Sequence, residues 1–163
     1  MLDFNFEVGI LGQVALSFIL GGLIGLEREW AQKPAGLRTH MLVSGAATLL
    51  VLLGDIMISM FNNSNMINAV RADPIRIIEA IITGISFLGA GTIILRERKE
   101  SVEGLTTAAS ILFASAIGIC VALQKFYLSV ALTVLVLLIL TVLGYIERWI
   151  QQVKDNWTDH QEE

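Results

Sequence analysis

Five long runs of apolar residues dominate this sequence and decide what it can fold into. The runs lie at about residues 9–27, 39–61, 75–95, 105–123 and 126–148, and short polar or charged segments separate them. A helix needs about 20 consecutive, mostly apolar residues to cross the hydrocarbon core of a bilayer. We therefore predict an all-α, polytopic integral membrane protein of about five transmembrane helices.

Composition fits one membrane domain and leaves no room for a large soluble one. Of the 163 residues, 55% are hydrophobic and 16% are charged, a balance that a water-soluble domain of this length would rarely show. We assign residues 1–150 to a single transmembrane domain and residues 151–163 to a short, polar cytoplasmic tail that is expected to fray. The lipid bilayer is then the first partner.

Charge and motifs argue against several classes of function. The net charge of −4 does not provide the basic face that nucleic acid binding requires, so nucleic acid is not an expected partner. His40 and His160 are too far apart in sequence to suggest a zinc pair, and the sequence contains no phosphate-binding loop and no serine nucleophile motif. Cys120 stands alone in an apolar run. We predict that the protein is not an enzyme and needs no cofactor, with a magnesium ion as the alternative.

The distribution of lysine and arginine predicts the orientation in the membrane, because positive residues are retained on the cytoplasmic side. Eight of them fall on one side of the predicted helices, namely Arg28, Lys33, Arg38, Arg96, Arg98, Lys99, Arg148 and Lys154. Three fall on the other side, namely Arg71, Arg76 and Lys125. The N-terminus is therefore predicted outside and the C-terminus in the cytoplasm, with both charged hairpin loops facing inward.

The first two predicted helices resemble the next two. Gly22 and the Leu26–Glu29 segment match Gly91 and the Leu95–Arg98 segment at an offset of 69 residues. Residues 36–39 match residues 104–107 at an offset of 68. A shift of two helices keeps both copies in the same orientation across the membrane, so we predict a parallel repeat of helices 1–2 and 3–4. Coincidental sharing of glycines and charges is the alternative.

Polar side chains cluster at the predicted cytoplasmic ends of helices 1, 2 and 4. The candidates for a functional cluster at this inner face are Glu27, Arg28, Arg38, Thr39, Thr106, Thr107 and Ser110. The hydroxyls of helix 4 could cap its free backbone N–H groups or could bind a polar ligand. The charged residues could form a solvated rim, and an inward Glu27 would pair with Arg38 or Arg96.

Glycines recur on helices 1 and 3, where they would let helices approach closely or bend. Gly21 and Gly25 form a Gly-x-x-x-Gly pair, and Gly84, Gly89 and Gly91 continue a stripe of small residues on helix 3. Because apolar side chains gain little by leaving lipid for another helix, close packing through small residues holds membrane helices together. A bend or an ion-facing backbone at residues 89–91 is the alternative.

Carboxylates near the predicted outer face form a second group. Asp55 and Glu79 interrupt apolar helices, and Asp73 precedes Pro74 at the start of helix 3. Charged groups in a membrane helix usually face the protein, so we expect Asp55 and Glu79 to point into the bundle. Oxygen ligands suit a hard cation such as magnesium, and a structural cluster neutralised by Arg76 is equally consistent with these residues.

Four ordered motifs give the sequence a specific resemblance. They are GGLIGLERE, KPAGLRTHMLVSGAA, DPIRIIEAIITGISFLGAGTI and VEGLTTAAS, between residues 21 and 110. This set resembles the MgtC/SapB family of bacterial membrane proteins. The resemblance implies a multi-pass protein of the bacterial inner membrane that supports growth or virulence at low magnesium. It also implies two mechanisms, magnesium transport or binding of partner membrane proteins such as the proton-translocating part of ATP synthase.

The sequence departs from the family pattern at three places. Thr106 stands where members often have asparagine, Phe113 where some have a cysteine considered important, and Ala80 where glutamine is frequent beside Glu79. Members often continue into a soluble cytoplasmic domain, whereas this sequence ends at Glu163. Functions that need that domain are therefore not predicted here.

Two functions from different classes follow. The first is magnesium homeostasis through contacts with partner membrane proteins. The second is a transporter or channel for magnesium or another divalent cation. Five helices are few to enclose a pathway, so a homodimer or higher oligomer is expected.

Overall fold

A computed structural model describes residues 4–63, 73–94 and 104–159 of the chain. Its five helices are α1 (Phe4–Trp30), α2 (Leu37–Asn63), α3 (Pro74–Ile94), α4 (Gly104–Ala122) and α5 (Phe126–Asp159). Each is long and apolar enough to cross a membrane, and these ranges contain no β-strand. The prediction of an all-α protein with five membrane-crossing helices is confirmed.

The helix ends differ from the sequence prediction at both ends of the chain. α1 begins at Phe4, before the predicted residue 9, and α5 continues to Asp159 through most of the tail that was expected to fray. Residues 147–159 contain neither glycine nor proline, and Glu, Arg, Gln and Lys are good helix formers. The segment can therefore extend α5 although it is polar.

α4 lies at the centre of the bundle. It contacts all four other helices, whereas α3 contacts only α2 and α4 within the described residues. One core cluster joins α1, α4 and α5 through Leu20, Ile24, Ile117, Val121, Val136 and Leu140. Another joins α2, α3 and α4 through Ala47, Ile81 and Ile119. The structure therefore places α3 on the side of α4 opposite to the α1–α5 contact.

α2 and α4 run side by side in the same direction. The Nε2 atom of His40 lies 3.0 Å from the Ser110 Oγ, and the Thr48 Oγ1 lies 2.8 Å from the Gly118 carbonyl oxygen. Both pairs are separated by 70 residues, one about two helical turns after the other. Only parallel helices keep such an offset constant, as the predicted repeat of the two hairpins requires.

Close approaches hold the first hairpin together. A Cβ atom on Gly21 would lie 2.6 Å from the His40 carbonyl oxygen, and one on Gly25 would lie 2.8 Å from the Gly36 carbonyl oxygen. Both distances are shorter than normal van der Waals contact. The interpretation of Gly21 and Gly25 as packing residues is therefore supported, because a side chain at either would push α1 and α2 apart.

Equivalent approaches recur 68 residues later in the second hairpin. A Cβ atom on Gly89 would lie 3.2 Å from the Ala108 Cβ, and one on Gly104 would lie 2.8 Å from the Ile93 Cα. These pairs correspond to 21 with 40 and to 25 with 36 at an offset of 68, which agrees with the match of residues 36–39 but is one less than the 69 predicted for helices 1 and 3. The shared positions support the predicted repeat of helices 1–2 and 3–4.

Candidate functional site

Glu27 and Arg28 form a buried ion pair at the end of α1. The Arg28 Nη2 donates to the Glu27 Oε1 over 2.7 Å, and the Arg28 Nε donates to the Glu27 Oε2. The Arg28 side chain is 5% exposed, and the Glu27 side chain is 16% exposed. The predicted pairing of Glu27 with Arg38 is therefore wrong, because the neighbouring guanidinium already takes both carboxylate oxygens, and Arg96 lies outside the described residues.

Glu29 closes the turn between α1 and α2. Its Oε2 atom accepts a hydrogen bond of 2.8 Å from the backbone N–H of Leu37, the first residue of α2. The first N–H groups of a helix have no partner within the helix, so this carboxylate satisfies one of them. The two hairpin helices are thereby joined at their polar ends as well as through glycine packing.

A buried histidine connects α2 to α4. His40 is 0% exposed. Its Nδ1 lies 2.9 Å from the Gly36 carbonyl oxygen, which can only accept, so Nδ1 carries a proton. The Nε2 faces the Ser110 Oγ at 3.0 Å, and that hydroxyl also lies 2.9 Å from the Thr107 carbonyl oxygen. From the sequence, His40 is considered only as a zinc ligand, and no link between helices is predicted for it.

The hydroxyl of Ser110 has one proton and two acceptors within reach when His40 is neutral. That proton can go to the Nε2 of His40 or to the Thr107 carbonyl oxygen. When it goes to Nε2, both ring nitrogens of a neutral His40 are hydrogen-bonded. The arrangement therefore joins α2 to α4 without a buried charge.

Buried polar side chains line the contact between α2 and α4, which we call the polar seam. Beyond His40, the seam continues one turn to Ser44 and two turns to Thr48. The Thr48 hydroxyl bonds Gly118 of α4, and it also lies 3.1 Å from the Ser44 carbonyl oxygen. The Ser44 and Thr107 hydroxyls have no hydrogen-bond partner within the described residues, although both residues are 0% exposed. The spacing of His40, Ser44 and Thr48 every four residues is the sequence signal that could have revealed this seam.

The predicted inner-face cluster divides into two parts. Thr107 and Ser110 are buried in the seam, and Arg28 is buried beside Glu27. Arg38 and Thr106 are exposed, and Thr39 is half-buried. Thr106 and Thr107 are adjacent in sequence but have different surroundings, because adjacent residues of a helix point about 100° apart.

The glycines predicted on helix 3 have different surroundings. Gly89 packs against Ala108, whereas a Cβ atom on Gly84 or Gly91 would meet nothing within 4 Å. α3 continues as one helix through all three positions. Close packing therefore explains Gly89, while Gly84 and Gly91 leave open space at the surface of α3.

The predicted outer carboxylates do not form a group of three metal ligands within the described part of the chain. Asp73 accepts a hydrogen bond of 3.0 Å from the Ile75 N–H and so caps the start of α3. The described residues contain no group of three or more His, Cys, Asp or Glu that could hold a metal. Asp55 and Glu79 are both exposed, so the expectation that they point into the bundle is wrong.

An exposed strip runs along α4 although α4 is the central helix. Its residues recur at helical spacing and are Leu105, Thr106, Ala109, Leu112 and Phe113. α3 packs on one side of α4 through Gly89 and Ala108, and α5 packs on another side through the cluster that contains Ile117. α3 and α5 do not touch in the described part of the chain. The α4 strip is therefore the floor of an open groove.

A second opening separates α2 from α3. It is an apolar cleft of about 730 Å³ that runs from Val43 and Ile85 to Asp73 and Arg76. Small residues on its walls leave the space open, chiefly Ala46, Gly54, Ala80 and Gly84. The α2–α3 contact is thus incompletely filled.

The fold and the buried seam define a multi-pass helical membrane protein built from two packed hairpins and a fifth helix. The chain belongs to the MgtC family, whose sequence model matches residues 14–149. This match confirms the resemblance seen in the four motifs.

Three relatives cover most of the chain. Protein MgtC of Salmonella typhimurium is 37% identical over 137 residues, which is 84% of this chain and 52% of the relative. The Escherichia coli K12 protein named "Putative magnesium transporter YhiD" is 35% identical over 132 residues, 80% of this chain and 58% of the relative. An uncharacterized protein of Haemophilus influenzae is 32% identical over 143 residues, 88% of this chain and 59% of the relative.

The chain therefore spans between half and three-fifths of the length of these relatives. No solved structure matches it. One of these relatives is named for magnesium transport, and the five described helices are long and apolar enough to cross a membrane.

Proposed function

We propose that this protein acts in the bacterial inner membrane to support magnesium homeostasis, and growth or virulence at low magnesium, by binding partner membrane proteins. The role is non-enzymatic and needs no cofactor. The proton-translocating part of ATP synthase is the candidate partner that the family resemblance suggests.

The α4 strip is the observation that carries this proposal. A central helix that packs against four others would be expected to be covered on all sides, yet Leu105 is 55% exposed and Phe113 is 45% exposed. Thr106 and Phe113 lie on this strip, and they are two of the positions where the sequence departs from the family pattern. An open groove with a helical floor accepts a transmembrane helix of another protein.

The test combines photo-crosslinking with growth at low magnesium. A photoreactive amino acid at Leu105 or Phe113 should form adducts with a subunit of ATP synthase in native membranes. Leu128 and Val134 on α5 are matched controls, because they are also about half exposed. Ala109→Trp should fill the groove, remove the adduct and slow growth at low magnesium without lowering the amount of protein in the membrane.

The proposal fails if the strip positions give adducts only with the protein itself or with lipid. It also fails if Ala109→Trp grows like the parent at low magnesium. Leu128→Trp provides the control for a bulky residue on a surface outside the groove.

Transport of magnesium or another divalent cation is the second candidate. The exposure of Asp55 and Glu79 within membrane-crossing helices favours it, because an oligomer could line a pathway with such carboxylates. Magnesium flux into liposomes that contain only this protein tests it, with Asp55→Asn and Glu79→Gln as variants. Flux that both substitutions abolish would support transport, and a folded protein without flux would contradict it.

A further inference from the structure

α3 has a face of exposed polar and small residues that begins at Arg76, which also lines the end of the cleft between α2 and α3. Its exposed residues are Arg76, Glu79, Thr83, Ser86 and Ala90. They are spaced alternately by three and four residues, so they lie on one face of the helix. All of them lie within the segment of α3 that is long and apolar enough to cross a membrane. We name these five residues the α3 stripe.

Lipid is a poor neighbour for this stripe. Within the described residues, neither Arg76 nor Glu79 makes an ion pair or a side-chain hydrogen bond. The Thr83 and Ser86 hydroxyls donate to their own helix, to the carbonyl oxygens of Glu79 and Ile82, at 2.8 Å each. A charged group in hydrocarbon without a partner is costly, and membrane helices place such groups against protein or water. The stripe therefore favours a neighbour with complementary polar groups over lipid tails.

We propose that the α3 stripe is the surface through which two copies of this chain associate, with Arg76 of each copy paired to Glu79 of the other. Two copies inserted in the same orientation are related by a twofold axis along the membrane normal, so their α3 helices run parallel. Arg76 and Glu79 are one turn apart, about 4.5 Å along the axis. One contact between the helices thus forms two reciprocal ion pairs.

The charge pattern selects a second copy as the occupant. The stripe carries one positive and one negative side chain near the same end of the same face, and it is therefore complementary to itself in a parallel pair. The hydroxyls of Thr83 and Ser86 retain free lone pairs, and the small Ala90 lets the helices approach closely towards the other end. The α4 strip carries no charge and shares no residue with the α3 stripe. Self-association through α3 therefore does not depend on the partner binding proposed above.

The experiment measures disulfide crosslinking of the full chain in liposomes. Cys120→Ala removes the native cysteine, and Thr83→Cys places a thiol at the centre of the stripe. Mild oxidation should give a crosslinked dimer. Glu79→Arg or Arg76→Glu alone should lower its yield about tenfold, because each places like charges at both contacts. The combined exchange of the two charges should restore the yield to near that of the parent.

Two controls separate this surface from random collision and from damage to the protein. Asp55→Arg reverses the charge of a second exposed carboxylate and should leave the yield unchanged. Val130→Cys places a thiol on α5 at a position that is 47% exposed, and it should give little dimer. If Glu79→Arg fails to enter the membrane, Glu79→Gln replaces it and should lower the yield about threefold.

Self-association through α3 is overturned by any of three results. The first is equal crosslinking at Thr83→Cys and Val130→Cys. The second is a yield that neither single charge reversal changes. The third is a combined exchange that stays as low as the single variants. None of these measurements uses magnesium or a second protein, so they do not bear on the proposed partner binding.

Discussion

At the scale of single residues, His40 is the side chain that most directly joins the two hairpins. It is buried, it belongs to α2, and it contacts Ser110 of α4 while bonding the Gly36 carbonyl oxygen of the preceding turn. Its two ring nitrogens therefore fix both the first turn of α2 and the position of α4 beside it. Loss of the Ser110 hydroxyl would leave the Nε2 atom of His40 without a hydrogen bond in the interior.

A double-mutant cycle on His40 and Ser110 should show a coupling free energy of about 1 kcal/mol, the range found for hydrogen bonds between membrane helices. The variants are His40→Ala, Ser110→Ala and the pair, and the measurement is unfolding in mixed micelles titrated with sodium dodecyl sulfate. A second cycle, with His40→Ala and Ser129→Ala, provides the control, because the Ser129 hydroxyl bonds only Phe126 of its own helix. Equal coupling in both cycles would contradict a direct link.

The buried pair of Glu27 and Arg28 predicts an asymmetric response to substitution. Glu27→Ala should destabilise the protein by about 3 kcal/mol, because it leaves a buried guanidinium without its carboxylate. Adding Arg28→Met should recover most of that loss, because the remaining charge is then removed. Unfolding free energies of both variants test this. A double variant that is less stable than Glu27→Ala would show that Arg28 has another essential contact.

At the scale of the elements, the two hairpins close in the same way. In each hairpin, the backbones of the two helices come close together near the end of the first helix. The close pairs are Gly25 with Gly36 and Ile93 with Gly104. Glycine precedes α2 at position 36 and begins α4 at position 104, and the first hairpin has a second glycine, Gly25, where the second hairpin has Ile93. The glycine at the start of the second helix is therefore the feature that both hairpins share.

Gly25→Ala and Gly84→Ala should therefore differ sharply in stability. The new Cβ at position 25 would lie 2.7 Å from the Leu37 Cα, and backbone movement of this kind costs about 2 kcal/mol. At position 84 it would meet nothing within 4 Å, and alanine favours the helix. Unfolding of the two variants under identical conditions checks this prediction. Similar losses at both positions would contradict the packing interpretation.

At the scale of the whole molecule, the predicted orientation places the α1–α2 turn inside and the α4–α5 turn outside. Gln32 and Gln124 mark these turns, both exposed and both with positive φ, 54° and 57°. In a Cys120→Ala background, Gln124→Cys should react with an impermeant maleimide added to intact cells with a permeabilised outer membrane. Gln32→Cys should react only after the inner membrane is opened. The reverse labelling pattern would show that the protein has the opposite orientation in the membrane.

The sequence was sufficient to predict the helices but not their rotation about their own axes. Uncharged runs of about 20 residues and their charged borders locate each span, because hydrocarbon thickness sets the length. A helix that is apolar on all sides gives little indication of which residues face inward. Thr106 and Thr107 were therefore grouped in one cluster, although one is exposed and the other is buried.

The outer carboxylates show a second reason why the sequence did not predict the direction of some side chains. The rule that intramembrane charges face protein was applied to a single chain, and it predicted an inward direction for Asp55 and Glu79. Both are exposed on this chain. The rule holds for the complete assembly in the membrane, and one sequence does not specify how many chains that assembly contains.

The parallel course of α2 and α4 has an electrostatic consequence. Both helices begin at the same face of the membrane, so the positive ends of their macrodipoles, each equivalent to about half an elementary charge, lie side by side. The Glu29 carboxylate at the Leu37 N–H offsets the dipole of α2. An acidic residue, Glu103, also precedes Gly104, the first residue of α4, in the sequence. Acidic groups near these two helix starts are therefore favourable, and a basic substitution there would be opposed by both dipoles.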